Sequence, residues 1–187
     1  MRHQRFCAPA AVLSLMLSAA VAAPAVCADG FQLRLGDDIV EASYTAFIRD
    51  GNSSITGSWL HNSDADVDLL SGGFFVHGDR REVAGKVGIK AYYADLDRDD
   101  GYGLALGGDG TFRFSDIISL NAGIYIGPDA LSFSDVEDYF EWFVGVDLNV
   151  LQNAVVTVGY RETEIDTKRR NDVEVEDGPY IGLHLKF

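Results

Sequence analysis

The nine residues PYIGLHLKF, Pro179 to Phe187, carry an apolar side chain at every second position up to a terminal phenylalanine. Successive side chains of a strand point to opposite faces. Ile181, Leu183, Leu185 and Phe187 therefore share one face, and Tyr180, Gly182, His184 and Lys186 share the other. The chain around them is acidic, with a formal charge of −14. An apolar face that runs to the last residue of such a chain needs an apolar neighbour there. This pattern is the one expected of a terminal strand that faces lipid and serves as a membrane-insertion signal.

The opposite end supports that direction. Arg2 and Arg5 precede the apolar run APAAVLSLMLSAAVAAPAV at 8–26, and Val26-Cys27-Ala28 leads to Asp29. A basic start, an apolar centre and a small-residue end make residues 1–28 an expected secretory signal peptide, followed by one barrel domain over 29–187. A retained anchor helix fits less well, because Pro9 and Pro24 interrupt it; a lipoprotein site at Cys27 is disfavoured by the bulk of Val26. Cleavage after residue 28 removes Cys7 and Cys27, both cysteines of the chain, so disulfides, a thiol nucleophile and cysteine-held metals are not expected. It also lowers Lys and Arg from 15 to 13 against 29 Asp and Glu, a formal charge of −16. Nucleic acid is not an expected partner of such a chain.

Working inward, period-two runs recur between turn-forming residues. They are FQLRL (31–35), VEASYTAFI (40–48), ITGSWLH (55–61), VDLLSGGFFV (67–76), VAGKVGIKAYY (83–93), YGLALGGDGTFRF (102–114), IISLNAGIYI (117–126), YFEWFVGVDLNV (139–150), AVVTVGYRETEI (154–165) and the terminal run. Strict alternation with turn signals between is the strand pattern. Most of these runs have the length a tilted strand needs to cross a bilayer, about 9–11 residues. The expected fold is all-β: an up-and-down antiparallel transmembrane barrel of about ten strands, with eight as the alternative.

A membrane barrel turns its apolar face to lipid and its polar face to the lumen, the reverse of a soluble barrel. On that assignment the lumen face is rich in Gly, Ser, Thr and Asn and carries the charges Glu41, Lys86, Lys90, Glu141, Asp147 and Arg161. Links at 49–53, 78–82, 115–116 and 151–153 are short and alternate with mostly longer ones at 62–66, 94–101, 127–138 and 166–178. Short turns belong on the periplasmic side, which places both termini there. Tyr93, Tyr102, Tyr139, Trp59 and Trp142 are expected at strand ends, as aromatic girdles.

The chain resembles the YfaZ-type family of small bacterial outer-membrane proteins. The resemblance is carried by Leu35-Gly36-Asp37-Asp38, SWLH at 58–61, KAYY at 90–93, DDGYGLALGG at 99–108, PDALSFSD at 128–135, GYR at 159–161 and DGPYIGL at 177–183. The first hairpin, SYTAFIRDGNSS, is less Gly-rich than the family pattern. The resemblance implies an outer-membrane barrel of a Gram-negative bacterium, with membrane lipids and the barrel assembly machinery as partners. It transfers no catalytic residue, metal ligand or cofactor.

Function is less legible. The leading expectation is a structural or surface-interaction barrel with acidic outer loops, and the main alternative a narrow channel in which the six lumen charges either select ions or pair and plug the bore. Lys168, Arg169 and Arg170 are candidates for contact with lipopolysaccharide phosphates, since Arg binds phosphate bidentately. The blander reading pairs them with Asp172, Glu174, Glu176 and Asp177 of the same loop. Lipid hydrolysis would need a histidine in reach of a nucleophile and an acid. Ser58 is three residues before His61 and so on the opposite face, while Ser63 and Asp64 are nearby in sequence; no enzyme is expected. DLDRDDG at 95–101 lacks the Gly at the sixth and the Glu at the twelfth position of an EF-hand, so it is not one; a solvated acidic loop is the expected reading and a loose calcium site of outer-loop carboxylates the alternative.

Overall fold

A computed structural model describes residues 27–48, 51–96, 99–168 and 173–187. Residues 1–26 of the expected signal peptide lie outside them, as do Arg169 and Arg170. Ten long antiparallel strands are present among the described residues: β1 (Cys27–Leu35), β2 (Ile39–Phe47), β3 (Ser53–Asn62), β4 (Val67–Arg80), β5 (Val83–Leu96), β6 (Asp99–Arg113), β7 (Ile118–Gly127), β9 (Val136–Leu151), β10 (Ala154–Thr167) and β11 (Val173–Leu185). A three-residue strand, β8 (Ser132–Ser134), follows β7. Each long strand pairs with its neighbours in sequence, and β7 pairs with β9. The first and last strands also pair, with Phe31 opposite Leu185, which closes the sheet into a barrel without a free edge.

The strands overrun the expected limits on one side. The links read at 94–101 and 166–178 are mostly strand, because β5 continues to Leu96, β6 starts at Asp99, β10 continues to Thr167 and β11 starts at Val173. The reason lies in what each face meets. On β5, Val83, Val87, Ile89 and Tyr93 point outward and Lys86 and Lys90 inward; beyond Tyr93, Asp95 points outward while Tyr92, Ala94 and Leu96 are buried inside. On β10, Val158 and Tyr160 point outward with Thr157 and Arg161 inside, and then Glu162, Glu164 and Asp166 alternate with buried Thr163, Ile165 and Thr167. Alternation persists along the strand, but its polarity inverts.

The inversion marks the edge of the lipid. Below it the barrel is a membrane barrel, with apolar side chains outward and polar ones inward. Above it the barrel is built like a soluble one, with an apolar interior of Ile39, Leu60, Val67, Leu69, Val136, Ile165 and Val175. The expectation of a polar lumen therefore holds only for the membrane-spanning part. The outward-facing stretch from Val83 to Tyr93 matches the roughly 9–11 residues that a tilted strand needs to cross the hydrocarbon.

Aromatic side chains collect on the outer face at the level of the inversion, not at the strand ends. Trp59 stacks with His61, Tyr102 with Phe133, and Trp142 with Tyr160. Tyr93 lies on the same outer face, but Tyr139 does not: it is 1 % exposed inside the lumen, stacked on Tyr92 at 4.5 Å between ring centroids. Parity accounts for this, since Tyr139 shares the face of Glu141 rather than that of Trp142.

The outer wall between β6 and β9 is completed by a strap. β7 ends at Gly127, short of the outer ends of its neighbours, and the segment Pro128–Asp135 folds across the gap. β8 within it pairs with Gly101, Tyr102 and Gly103 of β6. A Cβ at Gly103 would come 2.5 Å from the Tyr92 hydroxyl and 2.9 Å from the Leu131 carbonyl, so only glycine lets the strap lie this close.

Candidate functional site

Two features occupy the lumen: a layer of paired charges at mid-height, and a cavity between that layer and the turn-side mouth. Closure of the barrel brings together Arg34 of β1, Glu41 of β2, Lys90 of β5, Glu141 of β9, Arg161 of β10 and Glu176 of β11. Arg161 donates from Nη1 to Glu41 Oε2 and from Nη2 to Glu141 Oε1, both at 2.7 Å, and its Nη1 lies 3.1 Å from Glu176 Oε2. Arg34 also pairs with Glu41, and Lys90 donates to Glu141, which accepts the Tyr139 hydroxyl as well. Lys90 sits over the rings of Tyr125 and Tyr139, at 4.6 and 4.8 Å from their centroids, and Arg34 sits 5.0 Å from that of Tyr180.

Three cations and three carboxylates balance in this layer. All six are less than one tenth exposed. Ions removed from water at this depth are tolerated when each is paired and hydrogen-bonded. Glu141 has a cation on either side of it and a phenol besides. Tyr139→Phe removes that phenol from a buried carboxylate and is expected to lower stability by about 1–3 kcal/mol. Guanidinium unfolding of the refolded barrel measures this, and an unchanged midpoint would show that the hydroxyl contributes nothing.

The sequence-derived lumen charges thus all face inward, but they do not form one set. Glu41, Lys90, Glu141 and Arg161 join the layer. Lys86 pairs lower down with Asp109, at 3.1 Å, and Asp109 accepts the Tyr125 hydroxyl at 3.0 Å. Asp147 lies lower again and accepts from Asn121 and Thr157, both at 2.6 Å. Arg34 and Glu176 are functional candidates that the sequence reading missed. Arg34 stands on the polar face of FQLRL and was legible there. Glu176 was assigned to an outer loop. In the structure it is 3 % exposed in the lumen, on the face that alternation from Tyr180 through Gly178 gives it; the bulge opposite Thr163 and Glu164 turns Val175 inward as well and shifts the parity of the residues before it.

Below the layer, the lumen opens into a cavity of about 700 Å³ that reaches the mouth at Asp79, Arg113, Lys186 and Phe187. Its walls carry hydroxyls and amides on adjacent strands, including the hydrogen-bonded pairs Ser58–Ser71 at 2.7 Å and Thr45–Thr56 at 3.0 Å. At the mouth Arg113 makes a two-pronged ion pair with Asp79.

The remaining sequence candidates are separated by the fold. Ser58 points into the lumen, and His61 lies on the outer face with its Nδ1 3.1 Å from Asp68 Oδ1, which also accepts the Trp59 indole N–H at 3.0 Å. Ser63 donates to the Asp38 carbonyl, and the Asn62 side-chain oxygen caps a turn by accepting from the backbone N–H groups of Asp64 and Ala65. The Lys168 ammonium donates to the Ser134 carbonyl at 2.7 Å, holding the strap. Among the described residues no cluster of His, Cys, Asp and Glu is arranged to hold a metal ion. Ile181 and Leu183 are exposed on the outer face at 60 and 40 %, in line with Leu185, whereas Phe187 lies past the end of β11, 74 % exposed at the mouth of the cavity.

Comparison with known proteins gives relatives of the same kind. The family described as YfaZ precursor matches residues 6–187. Outer membrane protein YfaZ of Escherichia coli K12 is 30 % identical over 136 residues, covering 72 % of this chain and 74 % of that protein. Among solved structures, the KdgM porin is similar with 8 % identity, a TM-score of 0.48, and coverage of 86 % of this chain and 99 % of that one. The outer membrane channel DcaP of Acinetobacter baumannii has 11 % identity and a TM-score of 0.44 over 83 % of this chain and 54 % of its own. OmpT of Vibrio cholerae has 14 % identity and a TM-score of 0.44 over 80 % and 56 %. The chain thus spans just over half the length of those last two proteins.

Proposed function

The chain belongs to the YfaZ family of outer-membrane proteins, and from that premise we propose that it is a closed, non-conducting barrel that acts at the cell surface and is not an enzyme. The observation that carries this reading is the double obstruction of the bore. Above the balanced ion layer, Leu60, Val67, Val136, Ile165 and Val175 are 0–1 % exposed inside the outer half of the barrel. Water and ions passing through would have to part both the ion pairs and an apolar core. A barrel of about eight strands has an interior that side chains can fill, and these ten strands are filled in their outer half.

In this reading both termini are periplasmic, as the even number of long strands and the two-residue turn at Gln152 and Asn153 support. The terminal segment with Ile181, Leu183, Leu185 and Phe187 is the one offered to the barrel assembly machinery. Membrane lipid meets the apolar band, and lipopolysaccharide meets the acidic outer face, with Lys168, Arg169 and Arg170 as its basic contacts. Lipid hydrolysis gains no support, since Ser58 and His61 face opposite sides of the wall.

A narrow channel is the second reading, and the cavity of about 700 Å³ below the ion layer is what favours it. Planar-bilayer recording of the refolded chain, with folding verified by heat-shifted gel mobility, separates the two. Silence is expected. Reproducible single-channel steps that change when Lys86 and Lys90 are neutralised would replace the closed barrel with a channel.

A further inference from the structure

The cavity below the ion layer holds a polar niche that the closed-barrel reading does not use, and we propose that it binds a small neutral polyhydroxylated solute, of the size and chemistry of a sugar, taken up from the turn-side mouth. The proposal rests on that reading in one respect: a lumen closed above makes the niche a site and not a passage.

The niche surrounds Gly145 on the lumen face of β9. A Cβ there would come 3.0 Å from the Tyr180 hydroxyl, 3.1 Å from Asn121 Oδ1 and 3.1 Å from Thr157 Cγ2, so side chains from β7, β10 and β11 fill the place of a side chain at Gly145, and Asn121, Thr157 and Tyr180 themselves line the cavity. One step toward the mouth, Asp147 is held by Asn121 and Thr157 at 2.6 Å each through the same oxygen, Oδ1. A carboxylate has about four acceptor sites on its two oxygens, so Oδ2 is left to accept from a ligand. One step toward the ion layer, the Phe143 ring closes over Gly123, where a Cβ would come within 2.6 Å of it. A fixed carboxylate, an amide and hydroxyls beside an aromatic ring are the groups that bind vicinal hydroxyls and the C–H face of a pyranose.

The paired cations disfavour an anionic ligand. The cations facing the cavity above the niche are already committed, Lys86 to Asp109 and Lys90 and Arg161 to Glu141. An anion entering there would have to break one of these pairs, whereas hydroxyl groups exchange only water. The cavity of about 700 Å³ is in the size range of small-molecule sites, roughly 300–1,000 Å³.

The test uses the refolded full barrel in detergent micelles, with glucose, glucuronate and glucosamine as probes of one shape and three charges. Saturation-transfer NMR titration is expected to show glucose binding at least threefold tighter than either charged analogue. Asp147→Asn and the near-isosteric Thr157→Val are each expected to weaken glucose binding at least tenfold while heat-shifted mobility shows a folded barrel. No binding by the folded wild type, unchanged binding in both variants, or preference for a charged probe would overturn the proposal. Conductance on the same preparation keeps the two readings apart. Steps that glucose blocks would sink the closed lumen and leave the site standing, and silence without binding would do the reverse.

Discussion

Arg161→Met is expected to destabilise the folded barrel by about 3–5 kcal/mol, the usual result of removing one partner from a buried ion pair. The size follows from how many carboxylates the guanidinium serves. Glu41, Glu141 and Glu176 all contact it, and it is 3 % exposed. Without it the layer keeps Arg34 and Lys90 against three carboxylates, so one buried negative charge is uncompensated. Most of the loss is thus the penalty on what remains, and it should be recoverable. Arg161→Met combined with Glu176→Gln is expected to regain at least half of it. Guanidinium unfolding in lipid vesicles measures both variants. A single-variant loss under about 1 kcal/mol would show that the layer is hydrated and exchangeable, contrary to its burial.

Leu183→Arg carries the second large effect, about 2–4 kcal/mol, the cost of an arginine on the lipid face near the bilayer midplane. Leu183 pairs with Val156 inside the apolar band, two residues from the Ala154–Leu185 level and four from the Tyr160–Pro179 level. The matched control is Glu174→Arg, on the outer face above the inversion. It is expected to shift stability by less than about 0.5 kcal/mol, as for an ordinary surface change. The pair locates the membrane on the barrel. Equal effects at the two positions would mean that the boundary drawn at Tyr93 and Tyr160 is wrong.

Much of this architecture was legible in the chain. Ile181 to Phe187 and Val83 to Tyr93 alternate so strictly that strand, face and membrane exposure follow from them together. The ten runs correspond to the ten long strands, and every charge placed inward by parity is inward. What parity could not supply was the level along the barrel at which inside and outside exchange character. Asp95 between Ala94 and Leu96, or Asp166 after Ile165, has the same composition as a loop. These residues are strand because the interior opposite them is apolar, and that interior is made by residues from other strands. The aromatic girdle was misplaced for the same reason, with Tyr139 assigned to lipid although its parity matched Glu141.

The partners of the charges were beyond reach as well. Glu176 has the lumen parity of Tyr180, but among Glu174, Asp177 and Gly178 it has the composition of a loop. Arg34 was visible as an inward charge, but nothing local links it to Glu41, Glu141 or Arg161 as one layer.

Local sequence settles what alternation and turn residues can encode: strands, their order, and their outward and inward faces. Closure of β1 on β11 settles the rest. It carries Arg161 across to Glu41 and fills the outer bore with Ile165, Val136 and Leu60. It also leaves open the cavity lined by Asn121, Asp147 and Thr157. A lumen is a property of the closed sheet, and its contents depend on which strands face one another across it, a distance no run of residues spans.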